Sequence, residues 1–229
     1  MNRMALTACG LITASVFFFS PNDGLPQNPV NQRQFSFAST LPLQDSKFAR
    51  LKLPLGVSVE VPKNWWLLSG DINTNIETMS EAAMNLSGLQ LPKGKRVNLL
   101  RANSMPRTTY AAIAINATDS EMNPNDLKNA SEKEISGFAP TAKEMQEALS
   151  SQNMEILDFY RVRREFVGKH PALVIEYKRS GPQGPVIVQM TRLFLGEKEV
   201  SLNLSYRESE GQLWKPIIQY IRKSLTVTR

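Results

Sequence analysis

The sequence has one cysteine, Cys9, and one histidine, His170. Because Cys9 lies in an apolar N-terminal segment, the rest of the chain has no thiol for a disulfide bond, a cysteine-ligated metal site or a cysteine nucleophile. A single histidine cannot form a multi-histidine metal site, and His170 lies in a Gly-Lys-His-Pro sequence that is typical of a turn. We therefore predict that the protein is not an enzyme and has no catalytic residue, no metal site and no cofactor.

Glycine-rich phosphate-binding loops are also missing from the sequence. The Gly-Pro-Gln-Gly-Pro segment at 181–185 holds too much proline to wrap a phosphate group with backbone amides. Two pairs of acidic residues lie close together, Asp119 with Glu121 and Glu197 with Glu199, but neither pair is in a loop dense enough in oxygen ligands for Ca²⁺. We interpret both pairs as solvated carboxylates.

The charge is only moderately unbalanced. The 229 residues include 27 Lys and Arg against 21 Asp and Glu, which gives a net charge of +6. The basic residues are scattered, so the excess favours an anionic partner in a general way and does not predict nucleic-acid binding. The length and the 41% content of hydrophobic residues fit one domain with appendages.

Residues 1–20 have the layout of a secretory signal peptide. A basic start at Arg3 is followed by an apolar run and then by a polar break that begins at Ser20-Pro21. The apolar run is shorter than the roughly 20 residues that span a bilayer, so a cleaved signal is favoured over an uncleaved signal anchor. A third possibility is lipidation of Cys9, because Leu6-Thr7-Ala8-Cys9 looks like a bacterial lipobox.

Residues 21–46 are rich in Pro, Asn and Gln and have no hydrophobic periodicity, which predicts a disordered tether. The folded domain is then expected at 47–229. These features predict an exported protein, periplasmic or extracellular, that contacts a membrane only through its N-terminal segment.

The densest strand signal lies at 155–206, where four runs rich in Val, Ile, Leu, Tyr and Phe are separated by turn residues. The runs read EILDFYRVRREFVG, HPALVIEYKRS, VIVQMTRLFLG and EVSLNLSY. Short turns between consecutive strands predict an antiparallel meander. In the second run Ala172 and Val174 should point to one side and Leu173, Ile175 and Tyr177 to the other, so both faces of the sheet should be covered.

The rest of the domain predicts strands and helices around this meander. Strands are expected at 57–61, 96–102 and 109–118 from their alternating or β-branched residues. A helix is expected at 71–86, because apolar residues recur at intervals of four and three: Ile72, Ile76, Met79, Ala83 and Leu86.

Capping residues predict two further helical regions. Asn123 and Pro124 begin a helix that Gly137 and Pro140 break, and Thr141 with Glu144 forms a capping box for its second part. A final helix places these apolar residues on one face, with Pro216 either in its first turn or at a kink: Leu213, Trp214, Ile217, Ile218, Ile221 and Leu225. The order of elements predicts an α/β (α+β) fold, an α/β/α sandwich with a mainly antiparallel sheet of about six to seven strands flanked by helices.

Three segments resemble the PsbP-like and DcrB-like α/β/α sandwich proteins. They are VSVEVPKNWW, VGKHPALVIEYKRSG and VSLNLSYRESEGQLWKPIIQYIRKSL, and the likeness extends over about 53–227. The matching features are the turn from Pro62 to Trp65, the hairpin from Gly168 to Ala172 and the helix end at Ser224-Leu225. The resemblance implies a fold without a shared active site, in a family whose members mostly bind other proteins.

A basic and polar sheet face is the candidate binding surface. Strand alternation places Arg161 and Arg163 on one side of their strand, and it gives the last strand a polar side opposite an apolar one. Such a face could bind an acidic partner or an anionic ligand, or it could be a solvated edge that prevents aggregation. The tryptophans could either cover the core or line the mouth of a pocket. The candidate binding residues are Arg161, Arg163, Arg192, Arg207, Asn203, Trp65 and Trp66.

The leading hypothesis is an exported, non-enzymatic binding or accessory protein of the cell envelope that acts through protein–protein interaction. The expected partner is another envelope protein and not a nucleic acid. The alternative is a carrier of a small anionic ligand that uses the arginine-bearing sheet face.

Overall fold

The computed structural model describes residues 47–69, 72–79, 83–88, 91 and 93–228. The predicted signal peptide, the tether and Cys9 lie outside the described residues. The described strands are β1 (Phe48–Lys52), β2 (Val57–Pro62), β3 (Trp66–Ser69), β4 (Ile72–Asn75), β5 (Val97–Asn103), β6 (Ala111–Asp119), β7 (Ile156–Val167), β8 (His170–Arg179), β9 (Val186–Phe194), β10 (Lys198–Arg207) and β11 (Thr226–Val227). The helices are α1 (Pro124–Asn129), α2 (Glu132–Ile135), α3 (Ala142–Ser150) and α4 (Gly211–Ser224).

The described strands form two antiparallel sheets. The main sheet has eight strands in the order β4-β3-β5-β6-β10-β9-β8-β7, and the smaller sheet has the order β1-β2-β11. The predicted meander is confirmed, because β7, β8, β9 and β10 pair consecutively. The mixed α+β class and the sandwich are also confirmed, although the main sheet is longer than the predicted six to seven strands.

Each face of the main sheet has its own hydrophobic core. The first face, to which Ala172 and Leu202 belong, packs against α4 and the smaller sheet. The second face, to which Leu173 and Tyr177 belong, packs against α1, α2 and α3. The predicted alternation along β8 is therefore confirmed, since Ala172 belongs to the first core and Leu173, Ile175 and Tyr177 belong to the second.

The helix predicted at 71–86 is wrong for the part of it that the structure describes. Residues 72–75 form β4, which pairs with β3, and Ile76–Thr78 form a short 3-10 helix. An interval of four residues returns a side chain to the same side of a strand as well as of a helix, so Ile72 and Ile76 fit both structures. Asn and Thr between them are poor helix formers, and the Asn75 side chain instead caps the 3-10 helix by accepting a hydrogen bond from the Glu77 amide at 3.0 Å.

The helical region after β6 has one more break than predicted. Asn123 caps α1 as expected, and the capping box of Thr141 and Glu144 begins α3. However, α1 ends at Asn129, because Ser131 and Glu134 form another capping box, in which the Glu134 carboxylate accepts from the Ser131 amide at 2.8 Å. At the C-terminal end of the domain, Pro216 lies inside α4 and beyond its first turn.

Candidate functional site

Strand β7 is an outer edge of the main sheet. It is twelve residues long and pairs with β8, and in the described part of the chain no strand pairs with its other side. The opposite edge, β4, has four residues. An edge strand presents backbone N–H and C=O groups that can pair with another chain. The long edge at β7 is therefore the place where this sheet can be extended.

Two β-bulges expose apolar side chains on β7. The register steps from Ile156↔Arg179 to Asp158↔Lys178 and again from Phe159↔Tyr177 to Arg161↔Glu176. Leu157 and Tyr160 are the extra residues at these steps, and they are 47% and 46% exposed. Bulges leave the extra residue outside the regular pairing and bend the strand, which explains why these two side chains are not in either core.

Phe166 is the third exposed apolar residue of the strand, at 51%. It lies next to the two-residue turn between β7 and β8, whose first residue, Gly168, has a φ of 60°, as in a type II′ turn. The guanidinium of Arg164 lies 6.0 Å from the centre of the Phe166 ring. Leu157, Tyr160 and Phe166 are the large hydrophobic residues that are most exposed among the described residues, and we refer to them as the β7 apolar edge.

Arg164 also fixes β7 to the helices on the second face. Its Nη1 donates to three backbone carbonyls at the end of α1, those of Leu127, Lys128 and Ala130, at 3.0, 2.9 and 2.7 Å. These contacts satisfy carbonyls that have no partner within a helix, and they place a cation at the negative end of the helix dipole. The edge strand is thus held in place although no described strand pairs with its outer side.

An ion-pair network holds β7 on the first face. Arg163 donates to Glu165 at 2.7 Å and to Glu176 on β8 at 2.9 Å, and Arg222 of α4 donates to Glu165 at 2.6 Å. Gln189 on β9 also donates to Glu176. Burial acts to raise the pKa of Glu165, but the hydrogen bonds from Arg222 and Arg163 outweigh it and lower that pKa. Burial also acts to raise the pKa of Glu176, but the hydrogen bonds from Arg163 and Gln189 outweigh it and lower that pKa. Both glutamates are therefore ionised at neutral pH.

The structure divides the seven predicted binding residues between the two faces. In the register, Arg161 is paired with Glu176 and Arg163 with Val174, which puts both arginines on the first face as predicted. Arg192 is paired with Leu173 of the second face. Directly paired residues of antiparallel strands point to the same side. The arginines therefore do not form one continuous surface.

The polar side of β10 is confirmed, and it lies on the second face. Ser201, Asn203 and Ser205 are half-buried, and Val200, Leu202 and Leu204 on the other side are buried. Two of the predicted arginines next to this stripe are paired with acids: Arg192 contacts Glu199 at 2.8 and 2.7 Å, and Arg207 contacts Glu210. These ion pairs reduce the charge available to an anionic ligand, and a binding role for Arg192, Asn203 and Arg207 stays a prediction.

The two tryptophans have different positions. Trp65 is 0% exposed, and its ring lies 5.9 Å from that of Trp214 in an edge-on arrangement within the first-face core. Trp66 is half-buried on the second face, where it is paired with Asn103. Trp65 therefore covers the core, which was one of the two interpretations of the sequence, and Trp66 is the tryptophan that a ligand could reach.

The structure offers no metal centre in the residues it describes. No group of three or more His, Cys, Asp or Glu side chains that could hold an ion occurs among them. His170 begins β8 directly after the turn, and Asp119 is paired with Lys198 and with the Gly94 amide. None of the described helices is long and apolar enough to cross a membrane.

Comparison with known proteins supports the fold. No protein-family model matches the sequence, and no curated protein matches it. The structure is similar to the solution structure of cyanobacterial PsbP (CyanoP) from Synechocystis sp. PCC 6803, with a TM-score of 0.52, 10% identity, and coverage of 83% of this chain and 98% of that chain. A weaker similarity connects it to LpqN of Mycobacterium tuberculosis, which is involved in cell envelope biogenesis, with a TM-score of 0.42, 13% identity, and coverage of 76% and 83%. The chain has a PsbP-like fold, which confirms the resemblance predicted from sequence, and identities this low show the fold alone.

Proposed function

We propose that the protein is an exported, non-enzymatic accessory protein of the cell envelope that binds an extended segment of another protein along the outer side of β7. The observation that carries this proposal is the β7 apolar edge on a long strand that has no outer neighbour among the described residues. A segment that pairs with β7 would gain main-chain hydrogen bonds and would cover Leu157, Tyr160 and Phe166. The signal-like start of the sequence supports export.

Burial of the β7 apolar edge would contribute appreciably to the free energy of binding a partner segment. Full burial of a large apolar side chain is worth about 1.5–3 kcal/mol, so covering the exposed half of each of these three side chains would contribute about 1 kcal/mol apiece. Solvated edge strands are normally protected by charges and bulges. Strand β7 has both, but its bulges place apolar residues outside the sheet, which favours a specific partner over a merely solvated edge.

The charge of the strand indicates the chemistry of the partner. Arg161 is exposed and lies next to Tyr160, and an acidic residue opposite an arginine in a neighbouring strand is favourable. The expected partner segment is therefore an extended one that combines apolar and acidic residues. The acidic residues of such a segment would also be attracted by the protein's net charge of +6.

Site-specific photo-cross-linking in cells that naturally express the protein tests this proposal. The photoreactive residue p-benzoylphenylalanine would replace Tyr160 and, as a control, Lys143, which is 87% exposed in the first turn of α3. We expect one discrete cross-linked protein from position 160 and none from position 143. The cross-link should be lost when Leu157→Ser and Phe166→Ser are combined with the photoreactive residue.

Three outcomes would overturn the proposal. The first is the absence of a product from position 160, and the second is equal cross-linking from positions 160 and 143. The third is a product that consists of two copies of this chain, which would replace an accessory role with self-association.

A further inference from the structure

A cleft of about 290 Å³ lies between the β7–β8 turn and the last turn of α4. Its lining includes Glu165 and Phe166 from β7, Thr191 from β9, and Arg222, Lys223 and Leu225 from the end of α4. The volume is at the lower end of the range of small-molecule sites. The cleft can therefore hold a small molecule or one side chain of a larger partner.

Two hydrogen-bond donors on the walls of this cleft have no acceptor. Thr191 is 3% exposed, and its Oγ1 has no hydrogen-bond partner among the described residues. The same holds for Nε of Arg222. A buried donor without an acceptor destabilises the protein, and a ligand that supplies the acceptor would remove that cost.

The chemistry of Arg222 determines which group would fit. Its Nη1 is already used by Glu165, at 2.8 and 2.6 Å. A guanidinium can only donate, so the complementary atom must be an acceptor. Planar anionic groups suit an arginine best, because two parallel N–H groups can contact the two oxygens of one carboxylate.

The charges around the cleft permit an anion. Glu165 is the acidic residue of the lining, but it is paired with both Arg163 and Arg222. Lys223 is exposed and adds a positive charge. Arg163 has Glu176 as a second partner, so the ionised side chains of this group are three cations and two anions. Val167, Ala172 and Leu225 supply apolar walls for the rest of a ligand.

We propose that this cleft binds a carboxylate, with Thr191 and Arg222 as hydrogen-bond donors and Lys223 as the nearby positive charge. The carboxylate could belong to a free small organic acid or to an acidic side chain of a partner segment that lies along β7. The inference rests on the cleft alone, so it holds even if the proposed strand addition fails. It differs from the ligand site predicted from sequence, because Arg192, Arg207 and Asn203 lie on the other face.

Calorimetric titration of the full chain distinguishes the two sources. The free acid is represented by benzoate, with neutral benzamide as its control. The partner side chain is represented by an acetylated, amidated Val-Glu-Val peptide, with Val-Gln-Val as its control. We expect saturable binding of at least one carboxylate probe and binding at least about tenfold weaker of its amide counterpart. Binding of benzoate would identify a small-ligand site, and binding of only the glutamate peptide would assign the carboxylate to a partner.

Two variants connect the binding to the cleft. Thr191→Val keeps the shape of the side chain and removes the unpaired hydroxyl, so the protein should fold with unchanged or higher stability and bind the probe about tenfold more weakly. Lys223→Gln should also weaken binding. Lys215→Gln removes the same charge from an exposed position earlier in α4 and should leave the affinity unchanged. The inference is overturned if neither carboxylate binds, or if Thr191→Val and Lys223→Gln bind as tightly as the wild type.

Discussion

Arg222 donates hydrogen bonds from Nη1 to both carboxylate oxygens of Glu165, at 2.8 and 2.6 Å, and so connects the last turn of α4 to the edge strand β7. These residues are far apart in the sequence and meet on the first face of the main sheet. Arg163 completes the group by donating to the same carboxylate at 2.7 Å. The edge strand is thus positioned by charged groups on its inner side while its apolar edge stays exposed.

We expect Glu165→Gln to lower the free energy of unfolding by about 1–3 kcal/mol, because two partly buried arginines lose the negative charge and one acceptor oxygen of their shared carboxylate. Urea denaturation followed by circular dichroism measures this change. Glu197→Gln is the matched control, because Glu197 is exposed beside the β9–β10 turn and the charge change is the same. The control should change stability by less than about 0.5 kcal/mol. Equal effects of the two variants would show that the Glu165 network does not stabilise the fold.

The same network predicts a loss of stability in acid. The pKa values of Glu165 and Glu176 lie below the ordinary 4.5 in the folded protein, since their hydrogen bonds to arginine outweigh the effect of burial. A carboxyl whose folded pKa is lowered contributes stability that is present above its unfolded pKa and is lost as the pH falls through the folded pKa. The unfolding free energy should therefore be constant near neutral pH and should fall below about pH 4.5, with a shallower fall in Glu165→Gln. An identical acid dependence in the variant would contradict this assignment.

The different positions of the two tryptophans also have a measurable consequence. Trp65→Ala should cost about 3–5 kcal/mol, because it leaves a cavity beside Trp214 in the first-face core. Trp66→Ala should cost less, because Trp66 is only half-buried. Chemical denaturation of both variants under the same conditions tests the difference. Equal losses would mean that Trp65 does not have the core position described.

Much of the fold could be predicted from local patterns. The meander follows from β-branched runs and short turns, and Thr141 with Glu144 begins a helix as its capping box predicts. The helix predicted over 72–78 was wrong, because Ile72 and Ile76 fit the periods of both a strand and a helix. Residues 72–75 form a strand because they pair with β3, and strand pairing cannot be read from a single sequence.

The candidate site was harder to predict, because it depends on strand order and register. The sequence shows that β7 and β10 are the two ends of the meander, but not which of them accepts β6. In the structure β6 pairs with β10, which leaves β7 as the edge. The sequence places Leu157, Tyr160 and Phe166 in a strand rich in apolar residues. The charged residues at 161, 163, 164 and 165 were the signal in the sequence that this strand is an edge.

The most direct test of strand addition is amide hydrogen exchange of the protein, free and in complex with the partner recovered by cross-linking at position 160. We predict that exchange in β7, residues 156–167, becomes slower in the complex, because its outer amides gain main-chain hydrogen bonds. Exchange at the opposite edge, β4, should not change. Unchanged exchange throughout β7, together with slower exchange at another surface, would contradict the proposal that this protein binds its partner by extending its sheet at β7.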